Sequence, residues 1–222
     1  AITDDGQYHA WTEINVPQRP FEIENVDTVT VPLAQSGYTT EYLRYRITIN
    51  DRPNETNYYR IVIDKQTTLW GYNHEEGGDD YIYWTKHSYN FIGREDVVLT
   101  DGQPTTGDDE DNGLFDTAKN IYGVFDDTRF RNTSYTMTVY NNTKIETGSD
   151  SGYFSGMDVI IRLMSITETE YYYLKALNLV DSDAYDETIN EPIKYPSNVH
   201  GGTGMVGIST EVTQTIPIIS SS

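Results

Sequence analysis

Hydrophobic and polar residues alternate along several segments of this chain. In residues 42–50, the apolar side chains of Tyr45, Ile47 and Ile49 occupy every second position, and residues 59–64 repeat the pattern. Successive side chains of a strand point to opposite faces of a sheet, so this period of two predicts strands with one buried face. The same alternation predicts further strands at residues 9–16, 26–31, 81–84, 121–125, 134–140, 157–164 and 212–219.

A segment rich in turn-forming residues separates the strands predicted at 42–50 and 59–64. It contains Asp51, Pro53 and Asn54, and these residue types favour turns because of their backbone preferences and short polar side chains. Two strands divided by such a segment are typical of a hairpin. We therefore predict that these two strands pair with each other through a long hairpin-like link.

One segment departs from the strand pattern. Ser165 and Glu168 have the spacing of a capping box, whose side chains bond free backbone N–H groups at the start of a helix. Asn178 and the polar residues at positions 181–183 indicate where such a helix would end. Between them, the apolar residues that share one helical face are Ile166, Tyr173, Leu174, Leu177 and Val180. We predict about four turns of amphipathic helix.

Taken together, these patterns predict an all-β protein. We expect an antiparallel β-sandwich or barrel-like sheet with one amphipathic helix packed on it. The 222 residues contain no repeat of fixed period and no Pro-rich linker. We therefore treat residues 1–222 as a single β-rich domain, which is long enough to bury a substantial core.

The charge balance excludes some classes of partner. The chain has 35 acidic against 15 basic residues, a net charge of −20, whereas nucleic acid and anionic lipid surfaces are bound by basic residues. The absence of cysteine removes disulfide frameworks, zinc–thiolate sites and cysteine nucleophiles. No apolar run approaches the roughly 18 residues of a membrane-spanning helix. We expect neither nucleic acid binding nor direct insertion into a membrane.

A glycine motif near the C-terminus resembles a nucleotide-binding fingerprint. Gly202, Gly204 and Gly207 match G-x-G-x-x-G, but that fingerprint functions at the start of a helix that holds a pyrophosphate. The residues that follow Gly207 include several β-branched residues and Pro217. We therefore predict that these glycines supply special backbone angles before a closing strand.

An acidic segment partly matches a calcium-binding loop. Such a loop carries oxygen ligands at alternate positions, glycine at the sixth and a bidentate glutamate at the twelfth. The oxygen positions would be filled by Asp108, Glu110, Asn112 and Asp116. Gly113 fits the sixth position, but Lys119 occupies the twelfth. We predict an acidic solvated loop with calcium as the alternative, and we expect no other cofactor.

Aromatic residues concentrate between positions 58 and 89. Exposed rings beside acidic and amide side chains are typical of surfaces that bind sugars or peptides, although rings on alternate strand positions also pack in cores. The candidate binding surface consists of Trp70, Tyr72, Tyr81, Tyr83, Trp84 and Tyr89. We predict no catalytic residues, because the chain lacks a nucleophile-elbow motif and its many carboxylates single out no acid–base pair.

Several short motifs occur in an order that resembles a known family. They are Asp51 with residues 57–60 (NYYR), Phe125 and Asp127 with Phe130, the Tyr-rich segment 165–177, and residues 191–193 (EPI), 195–199 (YPSNV) and 201–207 (GGTGMVG). Together they resemble the C-terminal part of the Bacteroidetes outer-membrane lipoprotein family known as domain-of-unknown-function family 4249. No catalytic residues are assigned to that family.

The resemblance implies a function at the cell surface. It implies a non-enzymatic lipoprotein domain on the extracellular face of the outer membrane. Such a domain would be accessory to a TonB-dependent transporter barrel, for which it would capture or gate a ligand such as a glycan or peptide. The family usually begins with an anchoring cysteine and an immunoglobulin-like domain. Since neither occurs here, we expect the C-terminal portion of a longer lipoprotein, held at the membrane through a lipid anchor outside this chain.

Two further functions are alternatives at this stage. A fimbrial or surface-structure subunit could donate the apolar-alternating tail, residues 212–219, to the sheet of a neighbour. That hypothesis requires the tail to be unpaired in its own chain. A hydrolase acting on glycans or peptides would need a cleft that holds two carboxyl groups roughly 5–9 Å apart.

Overall fold

The described part of the chain forms two β-sheets and one helix. The computed structural model describes residues 8–35, 38–73, 80–93, 95–102, 120–143, 153–181 and 192–219. The elements in chain order are β1 (Asn25–Gln35), β2 (Tyr38–Asn50), β3 (Tyr58–Asn73), β4 (Asp80–Ser88), β5 (Val124–Asp126), β6 (Ser134–Asn142), β7 (Tyr153–Ser165), α1 (Glu168–Asp181) and β8 (Thr210–Ile219). The predicted all-β class with one helix is confirmed, and the architecture is the sandwich.

The two sheets differ in size and both are antiparallel. The smaller sheet has the order β1-β2-β6. The larger sheet has the order β4-β3-β7-β8, and the short β5 pairs with the first residues of β3. Strands β3 and β7 are its centre and pair over most of their length. They therefore form the middle of the larger sheet.

The core lies between the facing sides of the two sheets. Ile47 on β2 and Val139 on β6 are fully buried, as are Ile63 on β3 and Ile161 on β7, and all four belong to one apolar cluster. These residues occupy alternate positions of their strands, so the period of two in the sequence correctly marks the inner faces. Burial of this apolar area is the main force that holds the sandwich together.

The predicted hairpin between residues 42–50 and 59–64 is wrong. Strand β2 pairs with β1 and β6, whereas β3 pairs with β4, β5 and β7. The turn-rich segment therefore carries the chain from one sheet to the other. Its residue Asp51 is held in place by the backbone N–H of Asn132, which donates to Oδ2 at 2.8 Å. Turn-forming residues fit a hairpin and an inter-sheet crossing equally well, because both require a change of direction.

Two predicted strands are shorter than expected or absent. Segment 9–16 contains no strand: Trp11 makes an isolated antiparallel bridge with His200, which lies in a loop and not on a sheet edge. Segment 121–125 is strand only from Val124 onward. Gly123 interrupts it with a φ of 66°, and a Cβ at that position would lie 2.2 Å from the Ile61 carbonyl oxygen. Only glycine fits such an approach.

Helix α1 begins two residues later than the capping-box spacing predicts. Ser165 is the last residue of β7, and Thr167 is the N-cap, since its Oγ1 accepts the backbone N–H of Glu170 at 3.2 Å. Tyr171 and Leu174 pack against Val124 in a second apolar cluster, so the predicted packing of the helix on a sheet is confirmed. Asn178, expected to mark the end of the helix, is instead buried within it.

The C-terminal tail is paired within its own sheet. Residues 210–219 form β8, which pairs antiparallel with β7. This arrangement counts against the donor-strand hypothesis, which requires a free tail. Gly201 and Gly204 have positive φ angles before this strand, and β8 follows the glycine motif where the nucleotide fingerprint would require a helix. In the described residues, α1 is too short and too polar to cross a membrane.

Candidate functional site

The five-stranded sheet presents one face to the core and the other away from the three-stranded sheet. We call the second the outer face. Along β3, Tyr59, Ile61 and Ile63 are buried in the core. Every second residue, starting at Arg60 and ending at Trp70, therefore lies on the outer face. The register extends this face across β4, β7 and β8. At about 3.3 Å per residue, the ten steps from Arg60 to Trp70 span roughly 33 Å.

Four rings gather at one end of the outer face, and we call them the ring cluster: Trp70, Tyr81, Tyr83 and Tyr153. Trp70 stacks on Tyr153 with ring centroids 4.7 Å apart, and its centroid is 5.5 Å from that of Tyr81. Tyr83 lies directly opposite Trp70 in the β3–β4 register. The three tyrosines are 58–66% exposed, so these large apolar side chains face solvent.

The sequence prediction placed six aromatics on one surface, and the structure separates them. Trp84 lies on the other face of the sheet, opposite buried Leu69 in register, and its ring is next to Gly71, whose added Cβ would lie 3.1 Å away. Tyr89 lies beyond the end of β4 and stacks with His87 at 6.0 Å. Tyr72 pairs in register with Tyr81, but its side chain is outside the described part of the structure.

Tyr153 is a member of the ring cluster that sequence reasoning missed. Strict alternation from the buried Met157 would turn Tyr153 toward the core. A register shift between Thr68 and Leu69 leaves one extra residue, Ser155, on β7, so that Tyr153 faces Trp70. Such a β-bulge reverses the faces of all residues beyond it. The small residues Ser155 and Gly156 are the available signal in the sequence, but residues of this kind are equally common in loops.

A polar group lies in the middle of the outer face. The Asp64 side chain is only 1% exposed, and both its carboxylate oxygens lie 3.0 Å from His87 Nδ1. Gln66 Nε2 donates to Asp64 Oδ2 at 2.8 Å. These contacts fix the histidine ring, and when Nδ1 carries the proton of the neutral ring, Nε2 is left as an acceptor. The His87 side chain is 41% exposed, so it can contact a ligand on this face.

Two arginines line a pocket at the other end of the outer face, which we call the guanidinium pocket. Its volume is about 360 Å³, and its wall includes Arg60, Arg162, Tyr89, Phe91, Ile121, Tyr122 and Met164. A second pocket of about 180 Å³ lies beside Lys65 and Asn141. Neither pocket is lined by an aspartate or glutamate, so neither offers the carboxylate pair that a glycoside hydrolase requires.

Two carboxylates meet at one end of the core, and neither of them lines either of these pockets. Asp51 accepts from the Tyr59 hydroxyl at 3.2 Å, and Asp127 accepts from the backbone N–H of Asn57 at 2.8 Å. Burial is the main cause that raises the pKa of Asp51, and the negative charge of Asp127 adds to it. Burial and the neighbouring Asp51 charge likewise raise the pKa of Tyr59. Because these groups are bonded to protein donors, their arrangement is suited to holding the chain together.

The predicted calcium ligands cannot be placed. Asp108, Glu110, Asn112 and Asp116 lie outside the described residues. In the described part of the chain, no group of three or more histidine, aspartate or glutamate side chains could hold a metal ion.

Comparison with known proteins assigns the chain to a family. The family model described as "Domain of unknown function (DUF4249)" matches residues 1–215. The chain therefore belongs to this family, as the motif order in the sequence predicts. A search of curated proteins found no match.

Proposed function

We propose that this member of the DUF4249 family is a non-enzymatic ligand-binding domain on the extracellular face of the outer membrane. In this proposal it captures a ligand for a TonB-dependent transporter barrel. The observation that carries the binding function is the ring cluster on the outer face, where three tyrosines more than half exposed surround Trp70. The transporter, the outer membrane and the lipid anchor are supported by the family resemblance and not by the geometry.

The exposure of the ring cluster supports binding because it is costly without a partner. Large apolar side chains grouped on a surface usually mark an interaction site. Aromatic residues also supply much of the energy at such sites, since they bury a large area with little loss of side-chain freedom. The rings are held by neighbouring strands of a rigid sheet, so a ligand meets a preformed surface.

The dimensions of the outer face favour an extended ligand. The ring cluster, the Asp64–His87 pair and the guanidinium pocket lie in sequence along β3 over roughly 33 Å. A glycan or peptide chain could cover this length, whereas a single small molecule could touch just one of the three. The face also combines ring stacking with polar anchors, which is the composition expected of an oligomer-binding surface.

Fluorescence titration tests the ligand-binding part of the proposal. The chain contains three tryptophans, and one of them lies in the ring cluster, so a ligand seated there should change the emission of Trp70. The probes are glucose hexamers with α-1,4 or β-1,4 linkages and a tryptic peptide pool. For the probe that binds, Tyr83→Ala should weaken affinity at least about tenfold, as expected for an aromatic anchor.

A second tyrosine provides the matched control. Tyr172 is 51% exposed on α1, away from the ring cluster, so Tyr172→Ala should leave the affinity unchanged. Equal losses from the two substitutions, or no response to any probe, would contradict binding at the ring cluster. The transporter is tested separately: purification of the tagged protein from native outer membranes should recover a transporter barrel in stoichiometric amount. Recovery of the protein without a barrel would contradict that part.

A further inference from the structure

The guanidinium pocket lies at the end of the outer face that is farthest from the ring cluster. Arg60 is on β3 and Arg162 is on β7, two residues along from Met164, the register partner of Arg60. Diagonal neighbours of this kind lie roughly 7–8 Å apart. The two guanidinium groups therefore belong to one pocket wall, and like charges at this separation favour an anion between them.

The two arginines keep donors available. Arg60 Nε donates to the Tyr122 carbonyl at 3.1 Å, which positions the side chain but does not engage its terminal nitrogens. Arg162 approaches the Glu211 carboxylate at 3.9 Å, with both side chains more than a third exposed. That distance is too long for a hydrogen bond. Among the described residues, no carboxylate makes a hydrogen bond to either guanidinium group.

The rest of the pocket wall is largely apolar. Phe91, Ile121 and Met164 contribute hydrocarbon surface, and Tyr89 contributes a ring. The Tyr122 hydroxyl is occupied, since it donates to Asp181 at 2.6 Å, so the remainder of its side chain is an aromatic wall. A volume of about 360 Å³ is within the range of pockets that hold small ligands or a single side chain.

The acidic surroundings limit how much negative charge a ligand could carry. Glu211 is near Arg162. Burial raises the pKa of Glu170, and the nearby positive charge of Arg60 offsets part of that rise. The chain as a whole has a net charge of −20, which repels a polyanion at long range. A single carboxylate is compatible with these surroundings. Salt screens its attraction to the nearby guanidinium groups less than its repulsion from the distant acidic residues of the chain.

We infer that the guanidinium pocket binds one carboxylate attached to an apolar or aromatic group, such as the C-terminus of a peptide or a small aromatic acid. Arg60 and Arg162 would bond the carboxylate oxygens, with guanidinium geometry matching the carboxylate. The rings of Tyr89 and Tyr122 would cover the apolar group. The inference rests on the proposed capture function for its biological meaning, but it does not depend on the ring cluster or on the transporter.

Calorimetric titration of the purified chain with matched probes tests this inference. N-acetyl-phenylalanine carries the required carboxylate and ring, and its amide differs only in lacking the charge. We expect saturable binding of the acid and at least about tenfold weaker binding of the amide. A five-residue peptide of four glycines and a C-terminal phenylalanine distinguishes the two possible ligands, a peptide C-terminus and a small aromatic acid. Tighter binding than the N-acetyl acid indicates a polypeptide C-terminus, and equal binding indicates a small acid.

Substitutions then locate the site. Arg162→Gln and Arg60→Gln should each weaken acid binding about tenfold. Arg162→Lys should weaken it less than Arg162→Gln, because lysine keeps the positive charge although it lacks the paired N–H donors of the guanidinium group. Arg46→Gln is the control, since Arg46 is exposed on β2 in the other sheet and its loss changes the net charge equally. Equal affinity for acid and amide, no saturable binding, or an equal loss from Arg46→Gln would overturn the inference. None of these results alters the ring-cluster or membrane-purification tests.

Discussion

At the scale of single residues, Glu170 on α1 shows how burial of a carboxyl makes the stability depend on pH. Burial raises the pKa of its carboxyl above the ordinary 4.5, despite the nearby Arg60 charge, and its Oε2 is buried without a hydrogen-bond partner among the described residues. The folded protein therefore binds this proton more tightly than the unfolded chain. The carboxyl's contribution to stability accordingly falls as pH rises from the ordinary pKa through the raised one.

Replacing Glu170 with glutamine should stabilise the protein at pH 7. The substitution Glu170→Gln removes the disfavoured charge but keeps a side chain suited to the third helical position. We expect a higher free energy of unfolding in urea at pH 7 than for the unmodified protein, with the difference shrinking toward pH 4. Glu13→Gln, in an exposed segment, should change little. A destabilised Glu170→Gln at pH 7 would contradict this account.

At the scale of elements, the start of α1 depends on one hydroxyl. Thr167 Oγ1 accepts the Glu170 N–H, whereas Ser165, the cap predicted from sequence, ends β7 and pairs with Tyr59 and Thr210. Thr167→Ala should lower the free energy of unfolding by about 1 kcal/mol, the usual loss of an N-cap. Urea denaturation followed by circular dichroism measures it. In Thr167→Ser, which keeps the hydroxyl, most of the stability should be retained; an equal loss there would contradict the capping role.

The elements also show which features of the fold the sequence could predict. Alternation identified the inner faces of β2, β3 and β7, because the residues buried at every second position of these strands are mostly hydrophobic. That β2 and β3 belong to different sheets could not be predicted, since the segment around Pro53 specifies a turn but not the sheet that the next strand joins. Tyr153 was missed for a related reason: one extra residue at Ser155 reverses its face, and bulges have no strong sequence pattern.

At the scale of the whole molecule, a buried polar network joins the two sheets at one end of the sandwich. It connects the crossing between β2 and β3 with the turn after β5. Asn57 is central, because its Nδ2 donates to Asp127 Oδ2 at 3.1 Å and lies 3.3 Å from Asp51 Oδ1. The residues of the family motifs that meet here are Asp51, Asn57, Tyr59 and Asp127. Their order in the chain was visible in the sequence, but their convergence required the fold.

Removing Asp127 should test how much this network contributes to the stability of the sandwich. Its carboxylate is fully buried and accepts from the Asn57 backbone and side chain and from Arg131. Asp127→Ala would leave these donors unpaired. Because Arg131 is 45% exposed and can turn to water, we expect a loss toward the lower end for a buried pair, about 2–3 kcal/mol.

Urea denaturation at pH 7 measures this loss, and an exposed aspartate is the control. Asp158 lies exposed on β7, so Asp158→Ala should change the free energy of unfolding by no more than about 0.5 kcal/mol. Asp127→Asn should fall between the two, because it keeps an acceptor for Asn57 but loses the charge that Arg131 contacts. The network would be dispensable if Asp127→Ala cost no more than Asp158→Ala. A lower midpoint with an unchanged denaturant slope would show that Asp127→Ala lowers the stability while the two sheets still unfold together.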